Sequence, residues 1–274
     1  MSKKTDEFEQ AIANLINQYD YLPEILPSWM EKEGIIAGSK IIKAEQMGNS
    51  GEKTDVIVYL EGDSQPIKIS AKLSSADYFG NWYGHIRLIN EFGEKAFYKL
   101  VQSTTLWANK WKYSNTASIF VGVSINFGRR TGKTGEEFTD VFDYEDIVKV
   151  VAGYGEGDSI ANCLMISDKI PDTLEELLVS LRPIDEDVIM LLSENFKVVY
   201  RPINPGTEGT NRGKNVYTKF QPYAALKEPT VINTLEELNK LGEYVELTEP
   251  NRLNHNHILD ELENEYNIYI PRKS

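Results

Sequence analysis

Two residues of opposite charge, Asp55 and Lys72, close the ends of a pattern that can bring them to one surface. The run Thr54-Asp55-Val56-Ile57-Val58-Tyr59-Leu60 is β-branched, Glu61 to Pro66 supplies Gly, Asp, Ser and Pro, and Ile67 to Leu73 is β-branched again. That is the composition of a β-hairpin with a longer loop. Side chains on the return arm alternate, so Ile67, Ile69, Ala71 and Leu73 face a core while Lys68, Ser70 and Lys72 face away from it. A hairpin symmetric about Asp63 and Ser64 sets Asp55 opposite Lys72, with Cβ atoms roughly 4.5–5.5 Å apart. Ser70 then falls on the same side, about 7 Å along the strand. A carboxylate beside an ammonium group can hold a divalent metal against a phosphate and activate a water next to it. The same pair on a solvated face is a cross-strand ion pair of little consequence.

The elements around the hairpin must position these groups. Phe8, Ile12, Leu15, Ile16 and Tyr19 recur at helical spacing and predict an amphipathic helix over Asp6–Tyr19, with Glu9 at the edge of its apolar stripe. Leu22 to Gly38 reads as a loop with a short helix, and Ser39 to Met47 as a strand. Ser74 to Asp77 reads as a cap opening a helical region towards Trp111, broken near Gly80, Gly84 and Gly93. Ala117–Phe127 and Asn195–Tyr200 read as strands and Asp143–Val151 as a helix closed by Gly153, while Thr173 and Thr234 open capping boxes.

The Gly-rich loop before Lys53-Thr54-Asp55-Val56, followed by Ile69-Ser70-Ala71-Lys72, resembles the core motif of the PD-(D/E)xK nuclease superfamily. Within it the pattern is most similar to type II restriction endonucleases that carry a small polar residue in place of the second acid. The resemblance implies an α/β fold, a mixed central β-sheet flanked by helices in a restriction-endonuclease-like core, with a C-terminal α+β extension. Residues 1–155 would form the catalytic core. Residues 156–274 would continue it, with a DNA-recognition segment over 201–227 and an acidic tail. Asp55 and Lys72 match the family's Asp and Lys, and Ser70 stands where Glu or Asp is usual. Asp55 would bind Mg²⁺ with a backbone carbonyl near Ala71 and Glu9, which matches a Phe-Glu-x-x-Ile helix pattern. Ser70 would hydrogen-bond a metal-bound water. Asp77 and Glu91 are rival sources of the missing carboxylate.

A net charge of −13 weighs against nucleic-acid binding as a global sum, but a cleft needs only local positive density. The segment 201–227 carries Arg201, Arg212, Lys214, Lys219 and Lys227 against one acid, Glu208, and interleaves Asn204, Asn211, Asn215 and Gln221 with aromatic residues. Arg, Asn and Gln suit base-edge readout. Arg129, Arg130 and Lys133 form a second basic turn able to meet a DNA backbone. Gly132-Lys133-Thr134 is not a P-loop, since Gly128 lies four positions before Gly132 and the signature needs five, so no nucleotide cofactor is expected. His255 and His257 read as a polar loop and His85 as structural, and Cys163 is alone, which excludes a cysteine metal cluster.

No apolar run reaches membrane-span length and the first residues lack a signal peptide, so a cytoplasmic protein with no membrane partner is expected. The leading reading is a magnesium-dependent, homodimeric type II restriction endonuclease that cuts double-stranded DNA at a specific sequence. A structure-specific repair or recombination nuclease with the same core is the first alternative. A non-enzymatic, acidic DNA mimic is the second.

Overall fold

The computed structural model describes residues 3–47, 53–76, 78–80, 82–129, 134–193, 196–208 and 215–273. Along the chain the elements begin with α1 (Lys3–Ile16), α2 (Ser28–Lys32), β1 (Ile41–Gln46), β2 (Val56–Leu60), β3 (Ile67–Lys72) and β4 (Tyr78–Gly80). There follow α3 (His85–Phe92), α4 (Glu94–Trp111), β5 (Gly122–Gly128), β6 (Gly135–Glu137), α5 (Phe138–Val141), α6 (Tyr144–Ala152), β7 (Cys163–Ile166) and α7 (Leu174–Ser180). The remainder is β8 (Arg182–Pro183), α8 (Glu186–Ser193), β9 (Lys197–Pro202), β10 (Thr218–Pro222), β11 (Thr230–Val231), α9 (Leu235–Asn239), β12 (Gly242–Glu246), α10 (His255–Tyr266) and β13 (Ile268–Tyr269).

The protein is of the α/β class, and its chain forms two interleaved compact units. One consists of residues 1–79 and 144–194, the other of 80–143 and 195–274. Residue 155, where the expected catalytic core gives way to its continuation, lies inside the second stretch of the first unit.

In the first unit the sheet order is β1-β2-β3-β7-β8, mixed in direction: β1/β2, β2/β3 and β7/β8 are antiparallel and β3/β7 is parallel. Helix α1 buries Phe8, Ile12, Leu15 and Ile16 in one apolar cluster with Val56, Val58, Ile67, Ile69 and Ala71 from the hairpin. This is the alternation expected of the return arm. The outer side of β1 is closed by Asn17, whose Oδ1 accepts from the Ala44 N–H at 2.7 Å and whose Nδ2 donates to the Ala44 carbonyl at 2.8 Å.

The hairpin register differs from the symmetric one. Val56 pairs with Ile69, Ile57 with Lys68 and Val58 with Ile67, two residues away from the alignment that sets Asp55 opposite Lys72. An even offset leaves every side chain on its expected face, so the burial pattern cannot reveal it.

In the second unit the main sheet runs β12-β10-β5-β9-β6, with β11 and β13 as a separate parallel pair. Strand β5 is buried along its whole length. Gly84 and Gly93 bound α3 as expected, and Gly93 does so at φ +84°, where a side chain is strained. Two expectations are corrected. No helix starts at Ser74, where the chain turns ahead of β4. His255 and His257 lie in α10, not a loop, because Asn254 caps its first turn by accepting from the N–H groups of Asn256 and His257. Within the acidic C-terminal stretch, β12 pairs with β10 from Thr218 to Pro222.

Candidate active site

Strand geometry in the first unit gathers the sequence-predicted groups at one end of the sheet. β1 and β3 both run antiparallel to β2, so their C-terminal ends flank the start of β2. Asp55 is the residue just before β2. Its N–H donates to the Ile69 carbonyl at 2.8 Å, and its carbonyl accepts from the Met47 N–H at 2.9 Å. The Asp55 side chain then takes the next place in the ladder, where Oδ2 accepts the Ala71 N–H at 2.7 Å.

Lys72 completes the arrangement. Its Nζ donates to Asp55 Oδ2 at 2.6 Å and to the Ala71 carbonyl at 2.9 Å. The two side chains are 13% and 18% exposed, so the pair is shielded yet reachable. Asp55 Oδ2 and the Ala71 carbonyl thus converge on one cation. Here that cation is an ammonium group.

Glu9 comes in from α1. It is 1% exposed, its Oε2 accepts from Gln46 Nε2 at 2.7 Å, and its buried Oε1 has no hydrogen-bond partner among the described residues. Burial pushes the Glu9 carboxyl up to about 7, opposed by the Gln46 amide; the nearby charge of Asp55 raises it further and that of Lys72 lowers it. Glu9 is therefore within electrostatic reach of the Asp55–Lys72 pair. Ser70 lies on β3, fully buried, with a hydroxyl that has no partner among the described residues.

The rival carboxylates fare differently. Glu91 belongs to the second unit, where Oε1 accepts from Arg87 Nε at 2.8 Å and Oε2 from the Tyr83 hydroxyl at 2.6 Å. Asp77 lies outside the described residues. Among the described residues no three His, Cys, Asp or Glu side chains gather as a metal group. A metal at Asp55 would draw on the Ala71 carbonyl, Glu9 and water, a donor set that suits Mg²⁺ because Mg²⁺ keeps several of its waters. The orphaned Glu9 oxygen fits that set.

The expected DNA-contacting residues are in the second unit. Arg130, Lys133, Arg212 and Lys214 lie outside the described residues. Arg129 follows β5 and is half-buried. Arg201, on β9, lays its guanidinium over the Trp82 ring, 4.8 Å from the centroid. Asn204 accepts from the Gly206 N–H at 2.9 Å and donates to Ser118 Oγ at 3.3 Å. Asn215 accepts from the His85 N–H at 3.1 Å. Lys219 donates to both carboxylate oxygens of Glu261, at 2.8 and 2.9 Å. An acid of the C-terminal stretch thus meets the basic segment directly.

His85 is structural as expected. It is fully buried, its Nε2 lies 2.7 Å from the Val216 carbonyl, and its Nδ1 accepts from the Arg252 N–H at 3.3 Å. The neutral ring with the proton on Nε2 satisfies both contacts. Burial pushes its pKa down to about 4 against that carbonyl bond.

Gln46 is the site residue that the sequence reading missed. Nothing in its local pattern marks it, since only pairing of β1 with β2 carries it to Glu9. Among the described residues no helix is long and apolar enough to cross a membrane. No protein-family model matches the chain, and no curated protein matches it.

Proposed function

We propose that the protein is a magnesium-dependent nuclease of the PD-(D/E)xK kind, hydrolysing phosphodiester bonds in double-stranded DNA as a type II restriction endonuclease. The observation that carries this reading is the convergence of Asp55 Oδ2, the Ala71 carbonyl and Lys72 Nζ within 3 Å, beside a buried Glu9 with one uncommitted oxygen. The order of elements supports it too: a helix bearing Glu9, a strand opening at Asp55, and a partner strand closing at Lys72.

Asp55, the Ala71 carbonyl and Glu9 would hold Mg²⁺, which when bound supplies Lewis-acid polarisation of the phosphate and a more acidic water. Lys72 donates hydrogen bonds to a non-bridging phosphate oxygen, where negative charge grows as water attacks in line. With Lys72 on the phosphate, Asp55 Oδ2 and the Ala71 carbonyl would be available to hold the metal. The attacking water gives its proton to solvent, the phosphorus–oxygen bond to the leaving group breaks, and the departing oxygen takes a proton from a solvent water.

Incubation of the purified protein with plasmid DNA and Mg²⁺ tests the reading. Fragments of discrete length, absent in EDTA, are the expected result. Cutting confined to branched substrates, regardless of sequence, would move the protein to the repair and recombination nucleases. No cleavage of either substrate overturns the proposal.

A further inference from the structure

We infer that Gln46 is a positioning residue that holds Glu9 ready for the metal, an inference that rests on the nuclease reading above. Gln46 ends β1 opposite Val56, and the next residue's N–H is bonded to the Asp55 carbonyl, so its backbone is locked beside the start of β2. From that fixed point Nε2 reaches Glu9 Oε2 at 2.7 Å. One oxygen of a nearly inaccessible carboxylate is thereby tied down, and the other is left without a partner among the described residues.

The chemical type of the donor matters. A lysine or arginine at this place would satisfy Glu9 and also neutralise it, leaving little attraction for a cation. A neutral amide orients the carboxylate without cancelling its charge. Partners of this kind, standing behind a ligand, set metal affinity through the ligand they hold.

Calorimetric titration of Mn²⁺ into the full-length protein, alongside plasmid cleavage over a range of Mg²⁺ concentrations, tests this. Gln46→Leu is expected to weaken Mn²⁺ binding about 10- to 100-fold. Its cleavage rate should return to within about threefold of wild type at saturating Mg²⁺, since Gln46 touches no reacting atom. Gln46→Lys keeps a hydrogen-bond donor, so a merely structural role predicts unchanged Mn²⁺ affinity, whereas a positioning role predicts its loss. Thermal melting confirms that each variant is folded. Wild-type Mn²⁺ affinity in both folded variants, with the unsubstituted protein still cutting DNA, overturns the role of Gln46 alone. An unsubstituted protein that neither binds Mn²⁺ nor cuts overturns the nuclease reading and this inference together.

Discussion

Two glutamates, one in each unit, show how differently a carboxylate can be placed inside this protein. Glu91 has both oxygens bonded, one by Arg87 and one by the Tyr83 hydroxyl, and Arg87 Nη2 donates to that hydroxyl at 3.1 Å. That triad is closed, and its guanidinium also lies over the Tyr83 ring at 4.1 Å. Glu9 is nearly as inaccessible as the core residues, yet among the described residues its donor is one amide and its other oxygen is bare. A closed network contributes to holding a fold in one state. A bare buried oxygen costs free energy, and such sites persist where chemistry needs them.

The largest effect that probes this contrast is catalytic. Asp55→Ala and Lys72→Ala should each lower Mg²⁺-dependent plasmid cleavage by about 10³-fold or more while the fold survives. Undiminished cutting by either variant removes the site from the open side of the comparison. Next, Arg87→Met strands Glu91 in the closed triad and should cost about 3–4 kcal/mol in urea unfolding, with Mn²⁺ affinity unchanged. A loss below about 1 kcal/mol would mean that the triad is not the stabilising partner in the contrast.

Glu9→Gln should do the reverse, raising stability near pH 7.5 by at most about 3 kcal/mol while weakening Mn²⁺ binding. The sign follows from the raised carboxyl. Between its ordinary value of 4.5 and about 7 the folded state holds a proton that the unfolded state releases, so wild-type stability falls as pH rises through that window. The advantage of the variant should grow over the same window and level off above it. A constant difference between pH 4.5 and 7.5 would contradict the assignment.

The smallest effect belongs to His85, whose sign is opposite. Its ring stays neutral when folded down to about pH 4 but is protonated when unfolded from about 6.5, so its contribution is present above 6.5 and lost on acidification. Near pH 5 the loss should reach about 2 kcal/mol, and His85→Gln should flatten that part of the profile. Unfolding followed in citrate buffers would show no such slope if the ring were already charged in the fold.

Much of the first unit could be read from its residues. Helix α1 and the hairpin announce themselves through 3.6- and 2-residue periodicities, and these alone put Glu9, Asp55 and Lys72 on recognisable elements. The hairpin register could not be read, because a two-residue offset preserves the face of every side chain. Gln46 was invisible because its role depends on β1 lying against β2 while α1 crosses above. In the second unit, polar Asn254 to His257 masked the Ile258, Leu259 and Leu262 stripe of α10. Charge composition alone set the acidic stretch apart, yet strand pairing and the Lys219–Glu261 bond draw it in. The interleaving of the two units depends on contacts between distant stretches, which no local pattern reports.

The double hydrogen bond of Asn17 to Ala44 carries one more consequence. An outermost strand normally invites another molecule to add itself by main-chain pairing. Here the amide imitates that visitor and occupies its seat. A twofold assembly of this protein would therefore not be built by pairing β1 of one copy with β1 of the next at Ala44.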